Sequence, residues 1–251
     1  STPAHWIDHP GHASAFALDT GSLQHEIHES TYSIVSRMDQ IDGQAHVIMA
    51  WGRLALERGH TDFEERTWPV VAKLMDRTSD WPYVLGPNGI ICHLGLVRNV
   101  CLEHSREGRY WDTYDILTQS FAGAALESMI AVARRRGDEI HANLWQHRLN
   151  SLKGSIDKYM TRELDGKKVY LEMRFPNAYD GIPFEGMGWL NLAPVAAQWE
   201  GLDHQIMINT VEALRARDLN EWHGLKWLGT DWTPGVGSSP QVIGKGVGWE
   251  I

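Results

Sequence analysis

Apolar positions recur at helical spacing from Ile41 to Arg58, where Val47, Ile48, Trp51, Leu54 and Ala55 form one face and Gly59 closes the run as a C-cap. Thr61-Asp62-Phe63-Glu64 then reads as a capping box that opens a second helix to about Arg77, with Pro69 bending it or shifting its start. Only His60 separates cap from box, so the two helices must run antiparallel as a hairpin. The same rhythm predicts a helix from about Thr113 to Arg136, with Leu117, Phe121, Ala124, Ala125, Met129 and Val132 on its buried side. Gly137 ends it and Asp138 caps a partner running to about Glu163. A looser third pair covers about 192–200 and 203–217, its second helix capped by Asp203.

The connections have their own patterns. Residues 78–112 carry Trp81-Pro82, Gly86-Pro87-Asn88-Gly89 and Arg106-Glu107-Gly108, all turn chemistry, with a short helix predicted at 91–102. Asp165-Gly166-Lys167-Lys168 predicts a hairpin turn between short extended segments, Asn177 to Gly188 reads as a Pro/Gly-rich loop, and 222–250 reads as a long loop. Alternating long helices with little strand patterning imply an all-α fold, either a solenoid or a closed α/α toroid. The turns at Gly59 and Gly137 are 78 residues apart and the loops between are long and aromatic, which favours the toroid. In that arrangement every loop preceding an inner helix arrives at one end of the barrel, and the chemistry is expected there.

Composition narrows the classes. A chain of 251 residues with 43% hydrophobic content buries a real core and is expected to form a single domain over 1–251. A net charge of −9 argues against nucleic acid as a partner, because polyanion binding needs clustered Lys and Arg. Arg134-Arg135-Arg136 forms such a run, but it falls in the last turn of a predicted helix, where cations favour the macrodipole. Cys92 and Cys101 define no disulfide framework, although one bridge between them is open, and no membrane-length apolar run or signal peptide is visible. The chain begins at Ser1, which leaves a removed leader open. His5, His9, His12, His25 and His28 have suggestive spacing, yet no HExxH accompanies them; neither a metal nor a cofactor is expected. GxSxG and P-loop signatures are lacking, and Gly244-x-Gly246-x-Gly248 has no preceding strand, so it reads as a loop. Of the twelve tryptophans, Trp81, Trp111, Trp189, Trp232 and Trp249 lie beside Gly, Pro or Asp in expected loops, where aromatics suit flat ligands such as sugar rings.

Two stretches carry a family resemblance. Ile41-Asp42-Gly43, Ala50-Trp51-Gly52 and Leu56-Glu57-Arg58-Gly59-His60-Thr61-Asp62-Phe63 resemble the loop-to-helix hairpin of six-hairpin glycosidases. Trp111-Asp112-Thr113-Tyr114-Asp115, Ala124-Ala125-Leu126 and Arg136-Gly137-Asp138 resemble a second such segment. The resemblance implies an (α/α)6 barrel of glucoamylase-like, trehalase-like or processing-glucosidase-like type. Such a barrel needs about twelve helices and this chain supplies six or seven, so a second chain or a further segment is expected to complete it. The terminal Gly246-Val247-Gly248-Trp249-Glu250 is similar to a loop that precedes a late inner helix in trehalase-like enzymes.

Glycoside hydrolysis needs two carboxyl groups flanking the bond. Helix-preceding loops offer Asp39, Asp42, Glu103, Glu107, Asp112, Asp115, Asp180, Glu185, Asp231 and Glu250. The strongest group is Glu103, Glu107, Asp112 and Asp115, interleaved with Arg106, Arg109, Tyr110 and Trp111, a mixture able to shift a carboxyl pKa and hold a sugar. The resemblance matches Trp111-Asp112 to a general-acid motif, which puts Asp112 first, ahead of Glu103 and Glu107, with Glu250 as the partner carboxylate. Asp42, Arg109, Tyr110, Trp111, Asp115, Trp189 and Trp249 are the expected substrate contacts. Residue type and spacing equally permit Asp112 or Asp115 as the helix N-cap. The expected activity is an inverting glycoside hydrolase; the rivals are an epimerase or lyase using His93, His104 or Tyr114, or a non-catalytic sugar-binding or interaction toroid.

Overall fold

The computed structural model describes residues 27–28, 33–34, 41–80, 95–97, 99–104, 109–174, 187–228, 231–233 and 237–238. These are mostly helical with small antiparallel sheets. In chain order the elements are β1 (Ile27–His28), β2 (Ser33–Ile34), α1 (Ile41–Arg58), α2 (Asp62–Asp80), β3 (Asn99–His104), β4 (Arg109–Asp115), α3 (Ile116–Arg136) and α4 (Glu139–Tyr159). There follow β5 (Thr161–Leu164), β6 (Lys167–Tyr170), β7 (Met173–Arg174), β8 (Met187–Gly188), a 3-10 turn (Trp189–Leu192), α5 (Ala193–Ala197) and α6 (His204–Asp218). The last are β9 (Leu219–Trp222), β10 (Leu225–Leu228), β11 (Asp231–Thr233) and β12 (Gly237–Ser238).

Both predicted hairpins form. Gly59 and Gly137 sit at φ 72° and 74°, the left-handed conformation that ends a helix at no Cβ cost. The Thr61 hydroxyl accepts the Glu64 amide (3.2 Å), and the carboxylates of Asp138 and Asp203 cap α4 and α6. α1 and α3 run parallel in contact: His46 stacks on Phe121 near the start of both, and Gly52 faces Ser128 midway. α2 and α4 form a parallel outer pair, with Trp68 against Trp145 and Asp76 accepting from the Trp145 indole at 2.8 Å. The N-termini of both long inner helices therefore lie at one end, and the Gly59 and Gly137 turns at the other.

α3 is the axis of the core. Leu117, Phe121, Ala124, Ala125, Met129 and Val132 are buried as expected, but so are its other faces, with α1, α4 and α5 packed around it. Its length and hydropathy would suit a membrane span, yet protein encloses it. On α1 the buried face is Ala45, Ile48, Trp51 and Ala55, whereas Val47 and Leu54 are 43% and 41% exposed. Those two residues stand seven apart on the flank of the apolar stripe, so periodicity included them and packing did not. Trp199 lies against Gly123 of α3, and a Cβ there would overlap its ring. Gly123→Ala is therefore expected to lower stability by about 1–3 kcal/mol in urea denaturation, the usual result of overpacking.

Local sequence mispredicted four boundaries. Of the short helix expected at 91–102, residues 91–94 and 98 lie outside the described residues and residues 99–102 are strand instead, because Asn99–His104 pairs with β4. α3 starts at Ile116 rather than Thr113, since residues through Asp115 belong to β4. α4 ends at Tyr159, not Glu163, because Thr161–Leu164 pairs with Lys167–Tyr170 across a turn with Asp165 and Gly166 at φ 50° and 75°. The expected loop at 222–250 contains β10, β11 and β12, with β10 paired to β9 and β11 to β8 and β12.

The strand region is tied to α6 through Tyr170, whose amide donates to Thr210 Oγ1 (2.9 Å) and whose hydroxyl accepts the Asp203 amide (2.8 Å). Burial pushes this phenol up to about 12. Its unfolded value is about 10, so the contribution is complete below pH ~10 and is lost as pH rises towards ~12. Tyr170→Phe should cost about 1 kcal/mol at neutral pH by orphaning the Asp203 amide. It should also flatten the fall in stability between pH ~10 and ~12, which denaturant melts at three pH values would read.

Candidate functional site

The end that holds the N-termini of α1 and α3 also collects buried acids. Four carboxylates are buried among the described residues: Asp42, Asp115, Glu172 and Glu64. The first three lie at this end, and Glu64 is at the opposite one. Asp42 is 7% exposed in the first turn of α1, with its carbonyl hydrogen-bonded to His46 Nδ1 at 2.8 Å. Because His46 also stacks on Phe121, that turn is fixed against α3.

Asp115 is the N-cap of α3. Its Oδ1 accepts the Thr118 amide (2.6 Å) and its Oδ2 the Thr118 hydroxyl (2.8 Å), so the carboxylate satisfies an otherwise orphaned helix donor. Gln119 then bonds both polar groups of Val97 (2.8 Å each) and the Asp115 carbonyl (3.0 Å). These bonds anchor residues 95–97 across the first turn of α3.

β4 leads directly into that cap. Its register sets Glu103 opposite Tyr110 and His104 opposite Arg109, and its other edge sets Tyr114 opposite Arg174 and Asp115 opposite Met173. By the two-residue period of a strand, positions 110, 112 and 114 share one face and 111, 113 and 115 the other. The sequence-predicted Glu103, Arg109, Tyr110, Trp111, Asp112 and Asp115 thus lie on one hairpin running into the N-terminus of α3. Trp189 opens the 3-10 turn before α5. Glu107, Trp249 and Glu250 lie outside the described residues, as do Asp39, Cys92, His93, Asp180 and Glu185.

Sequence reasoning missed Glu172 and Arg174. The Glu172 carbonyl accepts the amide of Ile116, the first residue of α3, at 2.9 Å, and its side chain is fully buried. Arg174 is 8% exposed; its Nη1 donates to the Tyr159 carbonyl at 3.1 Å and its guanidinium lies 5.4 Å from the Tyr159 ring. Burial lowers its pKa. The available signal was two charged residues set into the apolar run Tyr170-Leu171-Glu172-Met173-Arg174, read only as an extended segment.

An open groove of about 900 Å³ lies elsewhere, between α5 and the outer stripe of α6, with Val195, Trp199, His204, Ile208 and Arg215 in its walls. None of the predicted site residues lines it. Burial of carboxylates, rather than width of opening, locates the candidate site. Among the described residues no group of three His, Cys, Asp or Glu side chains is arranged to hold a metal ion.

No family model matches the chain, nor does any curated protein. Among solved structures it is similar to a C. acetobutylicum ATCC 824 glycoside hydrolase from family 105, at 14% identity and a TM-score of 0.46. The similarity covers 79% of this chain and 55% of that one, so the chain spans about half the length of that enzyme. So remote a likeness carries no inference about activity. The class the described residues define is a mostly helical protein of paired inner and outer helices with small antiparallel strands, and buried acids gathered where its inner helices begin.

Proposed function

We propose that the chain is a glycoside hydrolase of the α/α hairpin-barrel type, working by carboxylate general acid/base catalysis without a cofactor, on an oligo- or polysaccharide. The observation that carries this reading is the division of labour between two acids three residues apart. Asp115 is spent on capping α3, so the capping role that competed for Asp112 is already filled, while Asp112 stands on the strand that leads into the cap. The motif resemblance at Trp111-Asp112 supports the general-acid role. Glu103, on the paired strand, is the next candidate, and Glu107 and Glu250 remain candidates for the partner carboxylate that activates water. Arg109, Tyr110, Trp111, Trp189 and Trp249 are assigned to holding the sugar, with Asp42 as a hydroxyl acceptor. A second chain or further segment would complete the barrel.

The test is turnover of disaccharides and aryl glycosides by the wild type and by Asp112→Asn and Glu103→Gln variants. Wild-type hydrolysis abolished in one of them supports the reading; equal turnover in all three sinks it. Product anomers read by NMR should be inverted, as in the commonest members of the resembled families.

A further inference from the structure

The groove between α5 and α6 takes no part in the proposed chemistry, and its walls have an order of their own. The core side of α6 is Ile206, Thr210, Ala213 and Leu214, all buried. The other side turns Met207, Ile208 and Val211 to the groove, opposite Val195 of α5. Ile208 is 40% exposed and Val195 55%, so the strip between the two helices is apolar and open. Branched aliphatic side chains left in the open on both walls of one groove mark a contact surface.

The polar groups around this strip define what fits it. Residues four apart on a helix stand on one face, separated by about 6 Å along the axis. His204 lies one turn before Ile208 and Glu212 one turn after it, and all three line the groove. Glu200 stands before the helix, at the His204 end, and Arg215 at the Glu212 end. Along the strip the order is carboxylate, imidazole, isoleucine, carboxylate, guanidinium. A second α6 laid antiparallel on the first, with a two-fold axis at Ile208, sets each His204 beside the other copy's Glu212 and each Arg215 towards the other's Glu200. The two Ile208 side chains then meet on the axis, and the two helix dipoles oppose each other. A parallel pair would instead set like against like. Glu212 is already bonded to Lys167 at 2.8 Å, but both side chains are more than half exposed, so that pair is weak and leaves the carboxylate able to accept from a second donor.

A chain of net charge −9 repels its own copies, so contact between them requires opposite charges in register. The α6 strip supplies that register with itself. We infer that the groove is an isologous interface, occupied by α6 of a second copy of this chain in an antiparallel two-fold arrangement. The inference is independent of the proposed hydrolase activity.

Sedimentation equilibrium of the full chain over a wide concentration range tests it, and a reversible monomer–dimer equilibrium is expected. Ile208→Asp puts two like charges on the axis and should weaken the dimer by at least about 10-fold. His204→Glu and Glu212→His should each weaken it by setting like groups together, and the double variant, which exchanges the two partners, should regain most of the loss. Ile208→Cys should form a disulfide-linked dimer under air oxidation, because a residue on a two-fold axis meets its own copy. Val47→Cys, at a position 43% exposed on α1, should cross-link no more than the wild type with its own Cys92 and Cys101. A monomer at every concentration overturns the inference, whether the groove stays open or takes another part of the chain or a different protein. So does a dimer that Ile208→Asp leaves as tight as the wild type, a double variant that dimerises no better than either single one, or cross-linking as strong through position 47 as through position 208.

Discussion

Asp112→Asn is expected to slow disaccharide hydrolysis by about 10²–10⁴-fold, the usual contribution of a positioned general acid. Asparagine keeps the shape of the side chain and the pairing of β4, so circular dichroism and the urea midpoint should not change. What it removes is the carboxyl proton that the leaving oxygen takes up as the glycosidic bond breaks. An aryl glycoside with an acidic phenol as leaving group needs little protonation. Its turnover should therefore fall far less than that of a disaccharide. This contrast separates a lost acid from a disturbed site, because misplacement of substrate slows both. The alkaline limb of the pH–rate profile should also vanish in the variant. A uniform loss across leaving groups would move Asp112 to a positioning role and bring Glu103→Gln forward as the variant to measure.

Glu64→Ala is expected to cost about 3 kcal/mol, the lower end of the range for breaking a buried ion pair, because Arg135 is 30% exposed. Glu64 is 1% exposed, and it is tolerated there because both oxygens are used: Oε1 accepts from Arg136 (2.8 Å) and Oε2 from Arg135. Arg135 also donates to the Ala55 carbonyl at 2.6 Å, in the last turn of α1, where a cation favours the helix end. Arg135 and Arg136 therefore join the C-termini of α1 and α3 to the N-terminus of α2. Removing Glu64 leaves two guanidinium groups facing each other with only Glu65 to share. Glu65 is far more exposed, and Glu65→Gln should cost clearly less. Its hydrogen bond from Arg136 holds its carboxyl below the usual range, so its contribution is present above pH ~4.5 and fades as pH falls through that lowered value. Urea denaturation of the two variants at pH 7 and pH 4 checks both the order and the trend.

The hairpins were legible because their signals are local. Gly59, Thr61, Gly137, Asp138 and Asp203 act within one turn of their own positions, where backbone conformation and side-chain caps decide helix ends without help from the rest of the chain. The arginine triplet was read as a helix C-terminus, which is where it lies, but Glu64, the partner of Arg135 and Arg136, is about 70 residues away and no local pattern points to it. The strands were less legible. Asn99–His104 has partners 5 to 14 residues on, and Met173–Arg174 has partners 58 and 60 residues back, so pairing rather than propensity made them strands.

The candidate site divides the same way. Residue type and spacing singled out the acids of 103–115 and left Asp112 and Asp115 as alternative caps. The sequence by itself determined the paired helices, their caps and the end at which inner helices begin, since each follows from contacts within a few residues. Only the tertiary structure decided that Asp115 is the cap and that Glu172 and Arg174 lie beside it. Burial and charge pairing are set by elements distant in the chain, and no local pattern encodes which of them will meet.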